Sequence, residues 1–107
     1  MASKRVGKQM RELAQLAYER DLTFSIEVLQ EQMKAWKAGK MTVWDIEQDI
    51  HLFHNKIARS LYKNYAMSDT IIAVSLGVAK GVISLDDVPE EERKKIQDIA
   101  AQMNHDE

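Results

Sequence analysis

Cysteine is absent from the 107 residues, which excludes disulfides and thiolate zinc sites. Proline occurs once and glycine four times. The chain therefore has few places to turn, and long helices can run without interruption. No stretch alternates apolar and polar residues for long enough to make a strand. Long apolar runs are missing too. The longest, residues 71–79, is broken by Ser75 and is too short to cross a bilayer. The opening MASKRVGKQM lacks the apolar segment of a signal peptide. Neither sign of charge dominates: 15 Lys and Arg against 17 Asp and Glu leave a formal net charge of −2. That balance makes no electrostatic case for nucleic acid or for an anionic membrane. The expectation is a cytoplasmic, single all-α domain over residues 1–107, with 1–5 and 104–107 frayed.

What is present is helical periodicity, strongest between Met41 and Tyr65. Thr42 can cap the first turn and Asp45 can reach back to its amide, a capping box with Asp in place of the usual Glu. No Pro or Gly follows until this helix ends. Projected at about 100° per residue, Val43, Ile46, Ile50, Phe53, Ile57 and Leu61 share one side, and Asp45, Asp49, Lys56, Arg59 and Lys63 the other. On that count Tyr65 falls about 100° from Ile46.

Residues 6–38 are also periodic, but the apolar face moves. Val6, Met10, Leu13, Ala17 and Phe24 share one side. Leu22, Ile26, Leu29, Met33 and Trp36 share another, about 140° round. Either the helix breaks near 21–23, where Asp21, Thr23 and Ser25 could each cap a new one, or it continues and its halves bury against different neighbours. Gly39 with its flanking lysines marks the end. The connection to the Thr42 cap is so short that residues 6–38 and 43–65 are expected to form an antiparallel hairpin.

Two shorter helices should pack against it. One runs from about 69 to 80, capped by Ser68, with Ala73, Gly77 and Gly81 recurring every four residues as a sign of close helix approach. The other opens at Pro89 with three glutamates in its first turn. Between them Ser84-Leu85-Asp86-Asp87 reads as a single capped turn.

Chemistry has one candidate centre. Glu47, His51 and His54, spaced i, i+4, i+7, fall inside the apolar sector, where their side chains can meet. Imidazole and carboxylate suit a divalent zinc, iron or manganese ion, with Glu19, Asp21 or Glu27 as a facing ligand. The spacing matches neither HExxH nor the paired Glu-x-x-His of di-iron bundles. The plainer reading is a buried polar cluster. No nucleophile motif or phosphate loop accompanies it, so a metal-dependent enzyme is the competing class and no catalytic residue is assigned. Lys4, Arg5, Lys8 and Arg11 form a small basic cluster; with no aromatics among them, a solvated helix start is the simpler reading.

The string Trp36-Lys37-Ala38-Gly39-Lys40, with Trp44-Asp45, Ile50-His51-Leu52-Phe53-His54 and Leu61-Tyr62-Lys63, resembles a group of short all-helical bacterial proteins of unknown function. The resemblance covers about residues 30–85. It implies a helical fold and a bacterial source and transfers no activity or site.

Four helices of these lengths cannot easily cover two faces of the first helix and a sector near 180° on the second. The leading expectation is therefore a non-catalytic interaction or regulatory protein that pairs as a homodimer, with no resident cofactor. Leu22, Leu29, Trp44, Leu52 and Tyr62 flank the hairpin seam and are its expected interface.

Overall fold

A computed structural model describes residues 4–105, all-helical and without strand among those residues. The expectation for residues 1–3 and 106–107 lies outside them. Lys4 and Arg5 open the first helix and Asn104 and His105 close the last.

The first helix, α1 (Lys4–Lys37), is continuous through Asp21–Thr23, but Ile26, Met33 and Trp36 of its second apolar face stay exposed instead of burying against a different neighbour. Ser25 donates its hydroxyl to the Asp21 carbonyl and sits within the helix instead of capping a new one. At the far end Gly39 takes φ 81°. The Lys40 amide donates to the Ala35 carbonyl and the Gly39 amide to Trp36, a Schellman cap that closes the end as the lysine–glycine string suggests.

The second helix, α2, spans 43–66. It begins α-helical over Val43–Leu52. The Asp45 amide donates to Thr42 Oγ1 (3.1 Å) and the Thr42 amide to Asp45 Oδ2 (3.0 Å), which is the capping box read from the sequence. Beyond Leu52 it departs from regular geometry. Phe53–Ala58 and Tyr62–Ala66 are π-helical, separated by one α turn, Arg59–Leu61. Each i→i+5 turn holds an extra residue, so side chains after it lag behind a 3.6-residue count. Tyr65, placed about 100° from Ile46 by the regular count, is buried together with it.

α3 (Thr70–Ala79) starts at Asp69, not at a Ser68 cap. The second π turn leaves the Lys63 carbonyl open, and the Ser68 hydroxyl donates back to it. Gly77 sits where α1 crosses, and a methyl added there would meet the Ala17 Cβ at 2.6 Å. Gly81, by contrast, is a Schellman cap at φ 74°. A 3₁₀ turn, Leu85–Asp87, follows the Ser84 cap. α4 (Glu90–His105) then packs on α3, burying Ile96 and Ala100. Arg93 braces the turn by donating to the carbonyls of Val88 and Asp86.

The core is one-ended. Val6, Met10, Ala17, Leu61, Tyr65, Ala73, Val74, Ile83, Val88 and Ile96 form a single cluster, which we term the head. Beyond it α1 and α2 continue side by side as an arm. Trp36 and Val43 line one groove near its tip, Leu29 and Leu52 line another further back, and Tyr18 stacks on Tyr65 in the head. Of the described residues 22–58, only Ile46 is buried. The molecule measures 55 × 27 × 21 Å, with a radius of gyration of 16.7 Å, against about 13 Å for a compact chain of this length.

Candidate functional site

Four places follow from this fold. The first is the junction of head and arm, where Asp21 is the one buried charged side chain among the described residues, 8% exposed. Asp21 lies one turn beyond Ala17 on the stripe that buries Val6 and Met10, so the core face of α1 runs straight into a carboxylate. Its Oδ2 accepts from the Tyr65 hydroxyl (2.9 Å) and from Lys80 Nζ (2.7 Å). Tyr65 stacks on Tyr18 with ring centroids 5.6 Å apart and planes 9° from parallel, and Lys80 lies 6.0 Å from the Tyr65 ring centre. Burial, then the hydrogen bond and charge of Asp21, hold the Tyr65 phenol well above its ordinary value. A phenol so held keeps its proton, and the arrangement bolts α1, α2 and α3 together instead of presenting a base. Sequence periodicity held the signal for Asp21 but gave no sign that Tyr65 and Lys80 would meet it.

The second place is the expected metal centre. Glu47, His51 and His54 are all exposed. His51 Nε2 lies 3.5 Å from Glu47 Oε1. His54 instead lines a separate hollow with Asn55, Ala58, Arg59 and Tyr62. No group of three or more His, Asp or Glu able to hold a metal occurs among the described residues. The expected facing carboxylates are elsewhere engaged or solvated: Asp21 is bound to Tyr65 and Lys80, and Glu19 and Glu27 are exposed. The regular count placed the three in a buried sector; with no third layer over the arm, that sector faces solvent.

The third place is the arm itself. On one side of the α1–α2 seam Met33, Trp36, Val43, Ile46 and Ile50 line a groove of about 450 Å³. Its rim carries Lys34 and Lys37 on α1 and Glu47 on α2. On the other side Phe24, Val28, Leu29, Leu52, Phe53 and Ile57 line a second groove of about 190 Å³. Trp44 is 71% exposed and Leu52 is 51% exposed. Apolar side chains are thus exposed on both faces of this two-helix layer.

The expected interface residues divide accordingly. Leu29 and Leu52 share the second groove, Leu22 packs half-buried at the edge of the head, and Tyr62 lies beside His54 in its own hollow. Trp44 stands exposed near the tip. Phe24, Val28, Met33 and Val43, exposed as well, were not singled out by sequence because a regular projection assigns such residues to a core.

The fourth place is the N-terminal basic cluster. Lys4, Arg5, Lys8 and Arg11 are exposed along the first turns of α1, with no aromatic among them to stack a base.

No protein-family model, curated protein or solved structure matches this chain. No described helix is long and apolar enough to cross a membrane.

Proposed function

We propose that this chain is a small, non-catalytic interaction protein of the cytoplasm that works through its arm and self-associates there. One observation carries the reading: of the described residues 22–58, Ile46 alone is buried, while Phe24, Trp36, Trp44 and Leu52 are exposed. Two helices side by side leave apolar surface on both faces, and water contact there is unfavourable by about 25 cal/mol per Å². A docked helical layer removes that contact, and two-fold pairing is the commonest way to supply one.

Mass measurement with arm substitutions tests this. The wild-type chain is expected above monomer mass at tens of micromolar. Substitution on whichever face pairs, Trp36→Glu for one groove or Leu52→Glu for the other, reduces the mass with helicity kept, because the head is untouched. A wild-type monomer overturns the self-associating part of the reading.

A further inference from the structure

We infer that the Met33–Trp36–Ile50 face of the arm seats the same face of a second copy, about a two-fold axis running along the arm. The inference rests on the proposed role of the arm and names its occupant and geometry.

The choice of face follows from where the head stands. Phe24 lines the second groove and also a hollow with Ala79, Val82 and Asn104. A long partner laid in that groove would run into the end of α3 and the last turn of α4. The groove of Met33, Trp36 and Ile50 is lined by α1 and α2 alone, so a second helical layer can lie flat on it.

The extent of the patch fits the arm. At about 100° per residue, Lys8, Gln15 and Glu19 point the same way from α1 as Ile26 and Met33. The first three are exposed and polar, the last two exposed and apolar. The strip changes character where the head ends. Sixteen residues of α1 beside α2 give an outline of roughly 24 × 20 Å. Corrugated by side chains as large as Trp36, it is of the order of the ~800 Å² per partner that a stable pair buries.

Charge selects a second copy and sets the axis. Lys34 and Lys37 line the groove from α1, and Glu47 lines it from α2. An axis along the arm carries α1 of one copy over α2 of the other, and each lysine pair then faces the partner's Glu47. An axis across the arm would stack α1 on α1 and bring no Glu47 to the lysines. A partner of a single sign would be repelled by one edge or the other. Glu31, 3.1 Å from Lys34, is an exposed intrahelical pair that is easily exchanged for a better one.

Sedimentation equilibrium of full-length charge variants tests the arrangement. Met33→Glu, Glu47→Lys, and the double variant Lys34→Glu/Lys37→Glu should each weaken dimerisation about tenfold or more. Mixing the Glu47→Lys chain with the Lys34→Glu/Lys37→Glu chain should restore a dimer of one of each. A dimer that ignores these charges and is lost in Leu52→Glu overturns this arrangement and leaves the arm's role standing. A wild-type monomer overturns the arrangement. If its arm amides also exchange as slowly as those of the head, the arm is no incomplete layer and the wider reading falls with it.

Discussion

The carboxylate of Asp21 lies 2.7 Å from the ammonium of Lys80, a partner 59 positions away in the chain. Asp21 is almost fully enclosed, whereas the Lys80 side chain is 40% exposed. The two ends of the pair should therefore respond differently to removal. Asp21→Ala strands the Tyr65 hydroxyl and the ammonium together and should cost about 2 kcal/mol. Lys80→Met keeps the aliphatic stem and loses a half-solvated charge, so about 1 kcal/mol is expected. Urea unfolding of the two variants checks the order, and an equal loss would contradict it.

Tyr65 gives the stability curve an alkaline edge. The phenol is held well above its ordinary value of 10.0, chiefly by burial and then by Asp21. Because the folded value is raised, its contribution is fully present below pH 10.0 and declines as the unfolded chain ionises above that point. The stability difference between wild type and Tyr65→Phe should be flat near neutral pH and shrink above about pH 10. A difference that stays constant into the alkaline range would show that the phenol is not held this way.

Gly77 and Gly39 offer a contrast between two reasons for glycine. At Gly77 a Cβ would lie 2.6 Å from the Ala17 Cβ, whereas at Gly39 nothing lies within 4 Å but φ is 81°. Gly77→Ala should cost about 2 kcal/mol through overpacking. Gly39→Ala should cost about 1 kcal/mol through the left-handed backbone. Ala17→Gly should recover part of the first loss and none of the second, a coupling read from thermal melts of the double variants.

Thr42→Ala removes the capping hydroxyl at the tip of the arm, a loss of about 1 kcal/mol. Because the arm has so few buried contacts, the effect should stay local. Amides of 43–52 should exchange faster while those near Val74 and Ile96 keep their protection. Uniform acceleration across the chain would show that arm and head unfold as one.

The all-helical class, the Gly39 stop, the Thr42–Asp45 box and the Ser84 turn were legible because each is a local pattern with a local cause. The exposure of Glu47, His51 and His54 was not. Periodicity shows that a helix has an apolar side but not whether anything covers it, and here the covering layer ends with the head. The π turns were not legible either: a 3.6-residue count does not see them, and no residue in Phe53–Ala58 announces one. Asp21 was read as a possible cap or facing ligand; it lies within α1 instead, and its partners Tyr65 and Lys80 come from elsewhere in the chain, which one helix's spacing cannot reveal.

The first π turn of α2, Phe53–Ala58, closes the arm, where Phe53 and Ile57 line a groove, and the second, Tyr62–Ala66, lies in the head, where Tyr65 is buried. They act as a phase shifter. One unbroken helix presents Ile46 to α1 in the arm, and Leu61 and Tyr65 to the core in the head; a uniform winding would keep Leu61 on the side of Ile46 but leave Tyr65 about 100° away. The bearing of the arm relative to the head is thus stored as a count of residues rather than as a hinge. A single insertion or deletion within 53–66 would rotate one end against the other by about a quarter turn. Such a change could carry the arm's apolar faces to new directions while leaving every side chain in them the same.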